Sequence, residues 1–106
     1  MFNCTLELQR TSPSVSWPHE VEATQALYTS FAEYRASFPD FLGVDISSTD
    51  TTFTRVEKWE SIEAASGFYD AKETQDLVAG LGFHEYVASS GLVKNVKFEG
   101  EGIPSL

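Results

Sequence analysis

Residues 53–69, Phe-Thr-Arg-Val-Glu-Lys-Trp-Glu-Ser-Ile-Glu-Ala-Ala-Ser-Gly-Phe-Tyr, are the stretch of the sequence that decides the fold. Alternate residues of a strand lie on the same face, which in the first half groups Phe53, Arg55, Glu57 and Trp59. Ser61 can then cap a helix with its side-chain oxygen, and Glu63 lies where the helix dipole favours an anion. The stretch therefore predicts a strand that leads directly into a helix.

Composition limits the kinds of protein that this chain can be. It has 106 residues, of which 42% are hydrophobic, as expected for one packed domain. Its net charge of −9 repels phosphate backbones and anionic lipid surfaces. We therefore expect no nucleic-acid partner and no membrane partner, and we interpret the acidity as a source of solubility.

Several sequence signals are missing. The chain has one cysteine, Cys4, which excludes an intrachain disulfide and suits a reducing compartment. It has no signal peptide pattern and no run near the roughly 18 apolar residues of a membrane span. Neither a phosphate-binding glycine loop, nor a Cys/His metal spacing, nor a Gly-x-Ser-x-Gly elbow is present. We expect a cytoplasmic protein without a metal site.

The segments that precede residue 53 predict a strand, a helix and a second strand. Residues 2–10 alternate between apolar and polar side chains, as in a strand with one buried face. Residues 21–38 have a mostly apolar stripe with the helical spacing of three or four, made of Val21, Thr24, Leu27, Phe31, Tyr34 and Phe38. Tyr28 and Arg35 lie off this stripe. Residues 41–59 predict a hairpin with turn residues at 47–50.

The segments that follow predict a broken helical region and a last strand. Gly80 and Gly82 are expected to break the second helix, and residues 84–89 to add a short turn. Residues 92–99 form the last strand, and residues 100–106 are a polar tail that is either mobile or in contact with a partner. The order β-α-β-β-α-β predicts one ferredoxin-like α+β domain over residues 1–106, with a four-stranded antiparallel sheet and both helices on one face.

Two motifs make the chain similar to a known family. Phe38-Pro39-Asp40-Phe41-Leu42-Gly43 follows the first helix, and Val56-Glu57-Lys58-Trp59-Glu60-Ser61 enters the second. With the element order, they resemble the antibiotic biosynthesis monooxygenase-type domain of the dimeric α/β-barrel superfamily. Asp40 replaces the glycine that is usual in the family's turn, and aspartate tolerates turn conformations. The resemblance implies a homodimer in which the helix-free faces of two sheets close into a barrel.

The resemblance also bears on cofactors. Family members often have a histidine a few residues after the tryptophan, and the haem-degrading branch uses a helix histidine as its iron ligand. This chain has Ser66-Gly67-Phe68-Tyr69 at the first position and no histidine in residues 70–81. We therefore expect no haem iron and no other cofactor.

Seven residues are candidates for a site that the resemblance implies between helices and sheet. The substrate-binding candidates, whose alternative role is packing in the core or at an interface, are Trp59, Phe68, Phe31 and Asn3. The candidates for proton transfer, whose alternative is a rim or surface position, are Tyr69, His84 and Tyr34. Arg55, Glu57 and Trp59 share a strand face that we expect to be helix-free, where the two charged residues would pair at the subunit interface.

Two hypotheses for function remain open at this point. The first is a cofactor-independent monooxygenase that acts on a small aromatic or quinol-like molecule. The second is a non-catalytic homodimer that binds a small apolar ligand or has a purely structural role. Fold alone does not decide between them, because function depends on the site.

Overall fold

Four strands and four α-helices make up residues 1–100, the part of the chain that the computed structural model describes. In chain order they are β1 (Phe2–Gln9), α1 (Gln25–Ala36), β2 (Phe41–Ser48), β3 (Thr52–Trp59), α2 (Ile62–Asp70), α3 (Lys72–Leu81), α4 (Phe83–Ser90) and β4 (Val93–Gly100). A short 3-10 helix, Pro18–Glu20, precedes α1. All but the first residue of the predicted tail at 100–106 lie outside the described residues.

The strands form one antiparallel sheet in the order β2-β3-β1-β4. This order and the helical connections confirm the predicted ferredoxin-like α+β fold. The predicted cap of α2 is also present, because Ser61 Oγ accepts a hydrogen bond of 3.1 Å from the Ala64 amide.

The face of β3 that carries Trp59 lies beneath the helices, and the expectation of a helix-free position for Arg55, Glu57 and Trp59 was wrong. The pairing of β3 with β1 explains why it was wrong. The inward residues of β3 stand opposite the apolar face of β1, in the pairs Phe2–Trp59, Cys4–Glu57, Leu6–Arg55 and Leu8–Phe53. Residues directly opposite each other in a sheet point to the same side. The helix-free face instead carries Thr54, Val56 and Lys58 from β3.

Helix α1 is shorter than predicted and is rotated about its axis. It begins at Gln25 rather than at residue 21. Leu27, which the predicted stripe placed inside, is 48% exposed, whereas Arg35 is buried and Tyr28 is half-buried against the core. The rotation places Phe31 and Arg35, one turn apart, over the sheet, where Arg35 reaches Glu57.

The second helical region contains three helices. Gly82, with φ of 65°, separates α3 from α4 as expected, and Gly91, with φ of 79°, ends α4. Gly80, which was also expected to break the helix, lies inside α3. The predicted short turn at 84–89 is confirmed as part of α4. The sequence gives no helix-breaking residue at Ala71, where an extended backbone separates α2 from α3.

The core consists of two clusters on the helix side of the sheet. The first cluster comprises Phe2, Phe31, Trp59, Ala65, Phe68 and Leu81. The second comprises Leu6, Leu8, Trp17, Phe53 and Leu92. Arg55 and Glu57 separate the two clusters along β3, so charged groups lie at the centre of the helix–sheet layer. None of the helices in residues 1–100 is long and apolar enough to cross a membrane.

Candidate functional site

Glu57 is the centre of a buried polar network. Its side chain is fully enclosed, and it accepts a hydrogen bond of 2.6 Å from Arg35 Nη1 and one of 3.1 Å from Trp59 Nε1. The Tyr69 hydroxyl donates to the same carboxylate and lies 2.6 Å from both of its oxygens. Arg55 Nη2 lies 3.8 Å from Glu57 Oε2. The network holds four side chains from α1, β3 and α2 in fixed positions.

Tyr69 is held as a hydrogen-bond donor. Burial raises the pKa of its phenol, and the negative charge of Glu57 raises it further. The hydroxyl proton is therefore retained at neutral pH and points to Glu57. The remaining lone pair of the Tyr69 oxygen is available to accept a hydrogen bond from a ligand.

A first cavity of about 280 Å³ lies between the sheet and the helices. Its apolar walls come from three helices, α1, α3 and α4, and two strands, β1 and β4. They include Leu6, Phe31, Val78, Leu81, Phe83, Val96 and Phe98. The groups that carry the polar chemistry in its walls are Cys4, Tyr28, Arg55, Tyr69, His84 and Lys94. An apolar cavity with a few polar groups in its wall is the common form of a small-molecule site.

A second cavity of about 300 Å³ adjoins the first. The walls that the two cavities share are Leu6, Tyr28, Phe31, Arg55 and Phe83. The second cavity adds Arg35 and His19 to this set. Arg55 therefore lies at the border between the cavities. A third cavity of about 300 Å³, towards α2, shares Cys4, Tyr69 and Phe98 with the first.

Burial shifts the pKa values of three other groups around the cavities. It raises the pKa of the Cys4 thiol to about 12, with a further contribution from the Glu57 charge. It also raises the pKa of Tyr28, although the Arg55 charge opposes this. Burial lowers the pKa of His19, which favours the neutral imidazole. These three groups are therefore uncharged at neutral pH.

The structure brings together three of the seven predicted site residues. Tyr69, His84 and Phe31 all line the first cavity. Trp59 and Phe68 lie beneath it in the first core cluster, with ring centroids 5.0 Å apart. Neither of these two rings lines the cavity.

Tyr34 and Asn3 are placed away from the first cavity. The Tyr34 hydroxyl lies 3.0 Å from Thr74 Oγ1, between α1 and α3, where the hydroxyl is already satisfied. Asn3 pairs with Lys58 and Glu99, on the helix-free face of the sheet. The alternation of β1 explains this, since Phe2 and Cys4 face the helices.

The sequence analysis did not select Arg35, Arg55 or Glu57 as site residues. The sequence contained a signal that Glu57 is buried. It shares a strand face with Arg55 and with the aromatic residues Phe53 and Trp59. An acid on such a face needs a buried cation as its partner. Arg35, one turn after Phe31, was a candidate for that partner. Within residues 1–100 no group of three or more His, Cys, Asp or Glu side chains could hold a metal ion.

Comparisons with known proteins give the fold. No family model matches the chain, and no curated protein matches it. Among solved structures, an antibiotic biosynthesis monooxygenase is 16% identical, with a TM-score of 0.62, and the match covers 98% of this chain and 100% of that one.

Two structures from Streptomyces are also similar. The monooxygenase ActVA-Orf6 of Streptomyces coelicolor, in complex with nanaomycin D, is 20% identical, with a TM-score of 0.60 and coverage of 98% and 92%. A variant of SnoaB, a cofactor-independent oxygenase from Streptomyces nogalater, is 10% identical, with a TM-score of 0.50 and coverage of 97% and 94%. The chain therefore has the fold of antibiotic biosynthesis monooxygenase-type structures.

Proposed function

We propose that this chain is a monooxygenase that oxygenates a small phenol or hydroquinone in the first cavity without a metal or an organic cofactor. The observation that carries the proposal is the composition of the cavity wall, which is mostly apolar and includes Arg55, Tyr69 and His84. Its volume of about 280 Å³ is near the lower end of the roughly 300–1,000 Å³ typical of ligand sites. The substrate is therefore a molecule of one or two aromatic rings.

Three polar groups in the wall have distinct roles. The Tyr69 oxygen accepts a hydrogen bond from a substrate hydroxyl, because its own proton is directed to Glu57. His84 takes the proton of the substrate, since a neutral imidazole nitrogen can act as a proton acceptor. The positive charge of Arg55 stabilises the phenolate that results. Phe31 and Phe83 hold the ring.

The substrate itself supplies the electrons for the reaction. The substrate loses its proton first. One of its ring carbons, the carbon that carries two hydrogens when the substrate is in its keto form, then reacts with dioxygen and forms a C–O bond. The O–O bond then breaks, one oxygen remains as a carbonyl, and the other leaves as water with the two hydrogens of that carbon. This reaction balances without an external reductant. Apolar walls that exclude water favour it by strengthening the electrostatic effect of Arg55.

The names of two structural neighbours support the proposal. SnoaB is described as a cofactor-independent oxygenase, and ActVA-Orf6 as a monooxygenase that holds nanaomycin D. At 10% and 20% identity these descriptions belong to those proteins, and we extend their reaction class to this chain as part of the proposal.

We also propose that the chain is a cytoplasmic homodimer joined through the helix-free face. That face has Val56 at its centre, surrounded by polar side chains such as Thr5 and Thr54. A second copy that covers this face would bury Val56 and pair the polar groups across a twofold axis. Light scattering should give twice the monomer mass of 11.7 kDa, and a monomer at micromolar concentration would contradict the proposal.

One observation favours a second candidate, a binding protein without catalysis. Tyr69 is committed to Glu57, and no hydrogen bond from residues 1–100 orients the His84 ring in the cavity wall. In a typical acid–base site the base is oriented by a second group. Such a protein would bind the same aromatic molecules and release them unchanged.

Oxygen uptake measured with a panel of one-ring and two-ring phenols and hydroquinones distinguishes the candidates. His84→Gln should lower the rate by about 10²–10⁴-fold, the usual contribution of a general base. Glu85→Gln, at the neighbouring exposed position of α4, is the matched control and should keep the full rate. Binding of the panel with background oxygen uptake would instead show the non-catalytic protein.

A further inference from the structure

The buried network contains more positive than negative charge. Arg35 and Arg55 carry two guanidinium groups, and Glu57 supplies one carboxylate that lies within 4 Å of both. Arg35 is only 4% exposed. Glu57 pairs with Arg35 at 2.6 Å, so the excess positive charge belongs to Arg55, whose side chain is 28% exposed. A partly buried charge without a close partner is costly, and proteins normally place a counter-charge beside it. The excess is notable in a chain whose net charge is −9.

Among residues 1–100, Glu57 is the only acidic side chain within 4 Å of either guanidinium. Cys4 and Tyr69 remain neutral because burial and the Glu57 charge raise their pKa values. His19, in the wall of the second cavity, adds no negative charge. Lys94 adds a further positive group to the wall of the first cavity.

Most hydrogen-bond donors of the two arginines are unused. Each guanidinium has five N–H groups. Within residues 1–100, Arg35 donates one side-chain hydrogen bond, to Glu57, and Arg55 donates none. The Nε atoms of both are enclosed and have no partner among the described residues. Because buried donors are nearly always paired, these two enclosed Nε groups mark a part of the wall that can bind an acceptor group.

We propose that the ligand of this protein carries a carboxylate, which binds to Arg55 and Arg35 at the border of the two cavities. Arg55 lines both cavities and Arg35 lines the second, so an acid group there leaves the aromatic body in the first cavity. One carboxylate matches the single excess positive charge, and its two oxygens fit the fork of a guanidinium. The inference rests on the first cavity of the proposed function as the ligand site, but it does not require catalysis.

A pair of probes that differ in charge tests the proposal. We expect calorimetry at neutral pH to show that 2-naphthoate binds at least about tenfold more tightly than 2-naphthamide, because charge-assisted hydrogen bonds are the stronger kind. Arg55→Gln should remove this preference, chiefly by weakening the binding of 2-naphthoate. Lys97→Gln, which removes the same charge from an exposed position on the helix-free face, should leave the preference intact.

Arg55→Lys is a second variant that changes the side chain but retains the positive charge, so it should keep part of the preference for the carboxylate. Circular dichroism verifies that each variant is folded. Equal affinity for the two probes, no binding of either probe, or an unchanged preference in Arg55→Gln would overturn the proposal. Oxygen uptake is not used here. A preference for the carboxylate without turnover would support this inference and reject the oxygenase. Turnover of neutral phenols without this preference would support the oxygenase and reject this inference.

Discussion

Replacement of Glu57 by glutamine should strongly destabilise the fold. The substitution keeps the shape of the side chain and one acceptor oxygen, but it removes the negative charge. Arg35 then remains buried with no counter-charge at 2.6 Å, and Tyr69 and Trp59 compete for one acceptor. The network is thus changed in its charge with little change in its packing.

The size of the effect follows from burial. Removing one partner of a buried ion pair typically costs about 3–5 kcal/mol, because it leaves an uncompensated charge. Glutamine still accepts one hydrogen bond, so we expect the lower end, about 3 kcal/mol. For a domain of this size that corresponds to a fall in Tm of roughly 10–20 °C.

Urea unfolding followed by far-UV circular dichroism measures this loss directly. Glu33→Gln, the same change at an exposed position of α1, is the matched control and should alter the free energy of unfolding by less than about 0.5 kcal/mol. Arg35→Met combined with Glu57→Gln should be more stable than Glu57→Gln alone, since it removes the buried cation. A loss in Glu57→Gln no larger than that in Glu33→Gln would refute the reasoning.

Three further predictions concern single groups. The Cys4 thiol, whose pKa burial raises to about 12, should react with a disulfide reagent at pH 8 only after unfolding, and rapid labelling of the native protein would contradict its burial. Because burial lowers the pKa of His19, the folded state disfavours its protonation. The free energy of unfolding should therefore decrease as the pH falls from 6.5, the ordinary pKa of histidine, through the lowered pKa of His19. Urea titrations over that pH range should show a smaller decrease for His19→Gln. Ser61→Ala should lower the free energy of unfolding by about 1 kcal/mol through loss of the α2 cap, and an unchanged urea midpoint would show that the cap contributes nothing.

The fold was predictable because its signals are local. Alternation in β1 and β3, the cap at Ser61 and the glycine at Gly82 each act over a few residues, and all of them agree with one topology. The break at Ala71 has no such signal. There α2 contacts α1 through Phe68 and Phe31, and α3 contacts α1 through Thr74 and Tyr34, which are contacts between residues distant in sequence.

The site was less predictable because it depends on which face of β3 meets the helices. Alternation grouped Glu57 with Trp59, but a period of two does not say which face is covered. The apolar partners Phe2 and Leu8 on β1 decide this through the strand register, which the sequence does not state. The rotation of α1 accompanies the ion pair of Arg35 with Glu57, a contact between residues 22 positions apart that no local pattern encodes.

The most direct test of the proposed function is a turnover experiment in isotopically labelled dioxygen and ordinary water. A phenol or hydroquinone from the panel that binds in the first cavity is incubated with the protein, and the product is analysed by mass spectrometry. We expect one labelled oxygen atom in the carbonyl group of the product and the other in water, with the yield much reduced in His84→Gln. A product without label, or the same labelled yield with no protein present, would contradict the assignment of this chain as an oxygenase.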